Sequence, residues 1–122
     1  MLLEIKIREI NGVSVLDVTG ALVHGSAKTL RDEIRRLLAE NKSKLLLNFD
    51  AITRMDESGV GVLVAVWQSV RQAGGSLKML KPGRCIRMAF AAVGIIGCRR
   101  VEDFCEIYED EAAALASFRP EP

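Results

Sequence analysis

Residues 54–67 read RMDESGVGVLVAVW, and how this stretch is taken decides the fold. Val60, Leu63, Val64, Trp67 and Val70 recur at helical spacing, and Gly74-Gly75 supplies residues that stop a helix, so a helix is predicted from Gly59 to Ala73. Asp56, Glu57 and Ser58 then stand at a loop-to-helix junction. The first N–H groups of a helix lack internal partners and carry roughly half a positive charge, so side-chain oxygens are stabilised there. Asp56 or Ser58 can fill that need. Read from local chemistry, Ser58 is a helix cap. Read from position, it is a phosphoacceptor: Gly59 and Gly61 leave the hydroxyl open to another protein's active site, and the helix N-terminus receives the phosphate.

Upstream, KLLLNF at 44–49 is an unbroken apolar run, the pattern of a strand covered on both faces. Before it, Ser26 is placed to cap a helix whose Ala27, Leu30, Ile34, Leu37 and Leu38 fall on one side. At the start of the chain Leu3, Ile5 and Ile7 alternate with charged residues, and Asn11-Gly12 predicts a hairpin leading into a strand over 13–19.

Downstream, SLKML at 76–80 reads as a strand, and Pro82 suits the first turn of a helix with Ile86, Ala89, Phe90 and Val93 buried. FCEIY at 104–108 reads as a last strand. Asp110 caps a final helix through Ala112, Leu115, Ala116 and Phe118, and residues 119–122 form a tail. The expected fold class is α/β: one domain over 1–122, a mixed sheet of four to five strands with only its opening hairpin antiparallel, packed with about four helices.

A chain of 122 residues with 49% hydrophobic content suffices for one core. Seventeen basic against sixteen acidic residues leave a net charge of +1, so no global field draws the protein to nucleic acid or an anionic membrane. With one Trp and one Tyr there is no stacking platform for single strands. No apolar run reaches the ~18 residues that span a bilayer, so a cytoplasmic protein without membrane insertion is expected. Cys85, Cys98 and Cys105 lack metal-ligand spacing and read as reduced, mostly buried thiols.

Other constellations have ordinary explanations. His24, the sole histidine, lies in a predicted loop with no nucleophile or acid indicated by spacing, so no catalytic role is assigned. Asp50, Asp56 and Glu57 have the oxygen ligands a divalent cation wants, but acids before a helix commonly serve its dipole. No metal site or cofactor is expected. Lys78, Lys81, Arg84, Arg87, Arg99 and Arg100 read as a solvated basic face, GRCIRM lacks phosphate-loop spacing, and the isoleucines of VGIIG at 93–97 read as core.

MDESGVGVLV at 55–64, the later GG and LKML, and FCEIYEDEAAAL at 104–115 together resemble the anti-sigma factor antagonist family, built on the STAS (sulfate transporter and anti-sigma factor antagonist) domain. The resemblance spans nearly the whole chain. That family's hallmark is an Asp-Ser-Ser-Gly-like turn before an apolar helix, its second serine phosphorylated by an anti-sigma factor that is also a kinase. Ser58 of DESG matches that serine. The resemblance implies a non-enzymatic partner switch: the unmodified domain binds the anti-sigma factor/serine kinase, the phosphorylated form releases it, and a serine phosphatase resets the cycle. Val23, His24, Asp56, Glu57, Ser58, Gly59 and Val60 are the implied contact residues. Glu57 stands where the family has a small hydroxyl residue, and Val23 and Asn48 stand where it often has aspartates, so carboxylates expected near Ser58 are missing. The alternative is an accessory STAS subunit of a membrane transport ATPase, docking independently of phosphorylation.

Overall fold

The computed structural model describes residues 3–94 and 100–118. Strands β1 (Leu3–Ile10) and β2 (Val13–Leu22) form the opening hairpin. Asn11 and Gly12 turn it with φ of 52° and 82°, the paired positive values that match the right-handed twist of flanking strands. There follow α1 (Ala27–Ala39), β3 (Lys44–Met55), α2 (Glu57–Gln72), β4 (Ser76–Leu80), α3 (Arg84–Val93), a 3-10 turn (Val101–Asp103), β5 (Ile107–Tyr108) and α4 (Glu111–Ser117).

The sheet order is β1-β2-β3-β4-β5, with β1 antiparallel to β2 and every later pair parallel. Crossovers of one hand advancing in one direction place α1, α2 and α3 on the same face. There Leu30, Ile34, Val60, Leu63, Val66 and Phe90 pack with Leu45, Leu47 and Phe49 of β3. Among the described residues only α4 covers the other face, where Ala114 and the following Phe118 meet Val13, Val15, Leu46 and Leu80. The apolar run of β3 is thus buried from both sides, as its composition requires.

Five expectations need correction. β3 does not stop at Phe49 but continues to Met55, pairing beyond Asn48 with β2 alone, through Thr19↔Ala51 to Leu22↔Met55. With no β4 neighbour there, Ala51, Thr53 and Arg54 are exposed and interrupt the apolar pattern. Ser26 makes no side-chain bond to the α1 amides. Its buried hydroxyl accepts from Val23 N at 3.1 Å and donates to Ala21 O at 2.6 Å, tightening the β2–α1 turn instead. Pro82 precedes the N-cap Gly83 rather than entering the helix, and Val93 at the end of α3 is 41% exposed. The last strand shortens to two residues because Phe104, after the 3-10 turn, points into the core, its ring 5.3 Å from both Trp67 and Phe90. The tail at 119–122 and the Ile95-Ile96 pair lie outside the described residues.

Candidate functional site

The junction forms where β2 and β3 end together. Met55 pairs with Leu22, and Asp56 N donates to Leu22 O at 3.4 Å before the chain turns into α2. Asp56, in extended conformation, is the N-cap: Oδ1 accepts from Ser58 N at 2.9 Å and from Gly59 N at 3.3 Å. Its other oxygen, Oδ2, accepts from His24 N at 3.1 Å, so one carboxylate ties the β2–α1 loop to the start of α2. The His24 N–H foremost, then those of Gly59 and Ser58, hold the Asp56 carboxyl below the usual carboxylate range. Both its oxygens are taken up by backbone donors.

α2 therefore begins at Glu57, two residues earlier than its apolar periodicity indicates, and Ser58 lies inside the first turn. Because Asp56 caps the helix, the half-buried Ser58 has no hydrogen-bond partner for its hydroxyl among the described residues. Glu57 is exposed beside it. The two glycines differ. A Cβ on Gly59 would lie 2.3 Å from Leu22 O and 2.9 Å from Met55 Cγ, so Gly59 is the point of closest approach between α2 and the strand ends. A Cβ on Gly61 would meet open space. Only Gly61 opens the surface near Ser58; Gly59 serves packing.

Of the predicted contact residues, His24, Glu57 and Ser58 present side chains at this end of the molecule. Val60 is 1% exposed and packs in the core, and Val23 is 9% exposed, its carbonyl accepting from Ser26 N and Ala27 N. Neither side chain is presented at the surface; each is packed inside and helps fix the backbone of the junction. Asn48 belongs to the other face of the sheet: Nδ2 donates to Asp17 Oδ1 at 2.8 Å, within an Arg8–Asp17–Glu111 cluster that joins β1 and β2 to α4. Residue 48 therefore faces the α4 side of the sheet, and the carboxylates near Ser58 are those of Asp56, which accepts from the Ser58 N–H, and the exposed Glu57.

A groove of about 390 Å³ runs between the start of α1 and the start of α2, lined by His24, Gly25, Ala27, Lys28, Ser58 and Val62. Lys28 and Val62 carry no motif signal. They reach the site only because α1 and α2 pack side by side on one face of the sheet.

Elsewhere, the basic series does not form one face. Lys78 is buried on β4, Arg87 and Arg100 both pair with Glu102, and Arg99 lies outside the described residues. Burial pushes the Cys105 thiol up to about 12, so it stays protonated. Cys85 is half-buried, and Cys98 lies outside the described residues. The His24 imidazole has no hydrogen-bond partner among the described residues, so it forms no relay with Ser58. Among the described residues no three His, Cys, Asp or Glu side chains gather to hold a metal, and no helix is long and apolar enough to cross a membrane.

A two-stranded hairpin feeding a parallel sheet, with a capped serine-bearing turn at the end of its third strand, defines a small α/β module whose distinctive feature lies at a helix N-terminus. The chain belongs to the STAS domain family, whose model matches residues 4–114. The fold is shared with an anti-sigma factor antagonist from Mycobacterium paratuberculosis, at TM-score 0.77 and 19% identity over 94% of this chain and 92% of that one. A Thermotoga maritima protein provisionally described as an anti-sigma factor antagonist superposes at TM-score 0.79 and 16% identity over 92% of each chain. The phosphorylated form of the Bacillus cell fate determinant SpoIIAA matches at TM-score 0.71 and 19% identity, over 95% of this chain and 100% of that one.

Proposed function

We propose that this chain is a single-domain, cytoplasmic anti-sigma factor antagonist without catalysis of its own. In its unmodified state it binds an anti-sigma factor of the serine-kinase type through the surface around Ser58, and so frees a sigma factor. Phosphorylation of Ser58 ends the complex, and a serine phosphatase restores it. The observation that carries this reading is the Ser58 hydroxyl, half-exposed in the first turn of α2 and relieved of capping by Asp56. Similarity in fold to proteins described as anti-sigma factor antagonists supports it.

In the modification step the kinase supplies a nucleoside triphosphate. A bond forms from Ser58 Oγ to the γ-phosphorus, the bond from that phosphorus to the β–γ bridging oxygen breaks, nucleoside diphosphate leaves, and the hydroxyl proton passes to a base on the kinase. The product carries about −1.5 to −2 additional charges beside Glu57, on a surface the partner must desolvate. Each ~1.4 kcal/mol of penalty weakens binding tenfold, so exclusion needs no refolding.

The test is a pull-down from native lysate with the unmodified chain and with Ser58→Asp in parallel. A kinase-type anti-sigma factor retained by the first and lost by the second supports the switch. Subunits of a membrane transport ATPase held equally by both would overturn it in favour of a fixed docking module.

A further inference from the structure

The groove beside Ser58 has a charge pattern that the partner switch alone does not require. One wall is the start of α2 with Ser58 and Val62; the other is the β2–α1 loop and first turn of α1 with His24, Ala27 and Lys28. Ala27 is buried and Val62 half-buried, so the floor is apolar and the rim polar. His24 and Lys28 are both exposed; among the described residues neither side chain donates a hydrogen bond, Lys28 has no ion-pair partner, and the His24 imidazole lies within electrostatic reach of the Asp56 carboxylate. Many other surface cations are engaged: Arg8 with Asp17 and Glu111, Arg36 with Glu33 and Glu40, Lys42 with Glu9 and Glu40, Arg87 with Glu102.

The loop bearing His24 is fixed. Its backbone N–H is held by Asp56, the residue that caps the helix carrying Ser58. A single carboxylate thus fixes both the His24 backbone and the start of the helix that carries Ser58. Around the Ser58 hydroxyl the charged and titratable groups among the described residues are Lys28 and His24 across the groove, Glu57 on the solvent side, and Asp56, whose carboxylate is already engaged by three N–H donors.

We infer that His24 and Lys28 form a receiving site in cis for the phosphoryl group of a Ser58 phosphomonoester, which folds over the groove and covers its Ala27–Val62 floor. The inference rests on the reading of Ser58 as the phosphoacceptor and adds how the modified state is held. Lys28 contributes an ammonium to the phosphate dianion, and the imidazole contributes N–H donation. Phosphorylation then closes the groove and adds charge at once, so a partner that inserts an apolar side chain between α1 and α2 meets an occupied site. Without Lys28 the phosphate projects into solvent and leaves the floor open.

The test uses the full chain with phosphoserine placed at position 58 during synthesis by stop-codon suppression, so no kinase is involved. The second ionisation of the phosphate is followed by 31P NMR for this chain, for its Lys28→Gln and His24→Ala variants, and for the chain unfolded in urea. A cation held against the phosphate favours the dianion, so the folded chain titrates below the unfolded one by about half a unit or more, and Lys28→Gln removes most of that difference. His24→Ala removes a smaller part. A Lys28→Gln titration superimposable on the parent would overturn the inference, as would folded and unfolded chains titrating alike. Lys28 is exposed on α1, so its variant folds. If instead the pull-down finds no phosphorylation-sensitive partner while the phosphate still titrates low, the partner switch fails and the receiving site stands.

Discussion

His24 and Asp56, 32 residues apart in the chain, meet through a 3.1 Å hydrogen bond from the His24 backbone N–H to Asp56 Oδ2. The same carboxylate caps α2 through Ser58 N and Gly59 N. One side chain therefore sets both the entry of the helix and the position of the loop facing it.

Asp56→Ala removes a cap and leaves three N–H groups without an acceptor, with an expected loss of about 1–2 kcal/mol in stability; Asp56→Asn, which keeps acceptor oxygen, loses less. The Asp56 carboxyl titrates lower folded than unfolded. Its stabilising contribution is therefore fully present above the unfolded value and is lost as pH falls through the folded one. In denaturant titrations at successive pH values, the gap between parent and Asp56→Asn narrows below about pH 4.

Gly59→Ala and Gly61→Ala separate the two glycines. The first forces a methyl group against Leu22 O, with an expected cost of about 1–3 kcal/mol, whereas the second fills open space in a helix and gains about 0.5–1 kcal/mol. Thermal melts of the two variants should move in opposite directions from the parent. Equal shifts would contradict the close approach of α2 to β2.

Ser58→Ala should change stability by less than about 0.5 kcal/mol, because the hydroxyl it removes holds nothing. A loss near 1 kcal/mol would mean that Ser58 caps α2. The measurement is a denaturation midpoint beside that of Asp56→Ala.

Lys78 spans the end of α4. Its Nζ donates to Ser117 O at 3.1 Å and Ser117 Oγ at 2.9 Å, lies 3.5 Å from Glu106, and sits 4.6 Å from the centre of the Phe118 ring. Lys78→Met keeps the aliphatic stem but leaves the Ser117 carbonyl without this donor, and about 1–3 kcal/mol is lost. Hydrogen exchange reads this locally: the amides at the end of α4 should exchange faster, while those of α1 are unchanged.

Much of the architecture follows from the sequence alone. Asn11-Gly12 can turn only one way between alternating strands, KLLLNF can be buried only between two layers, and the spacing of Leu30, Ile34 and Leu37 leaves α1 one face to bury. The acids and hydroxyl before α2 mark a helix entrance for the same reason, since unpaired N–H groups call for oxygen.

Only the tertiary structure decided which oxygen answers. Asp56 and Ser58 are both competent caps by composition; Asp56 takes the role because the β2–α1 loop brings the His24 N–H to its second oxygen, a contact 32 residues away that no local pattern encodes. That choice frees the Ser58 hydroxyl. The same distinction explains the other differences. Val60 and Val23 are core residues because the start of α2 presses on the end of β2, Asn48 faces Asp17 because β3 has two covered sides, and Lys28 reaches the Ser58 groove because α1 lies beside α2. Periodicity assigns a residue to a face of its own element; which element that face meets is set by long-range packing.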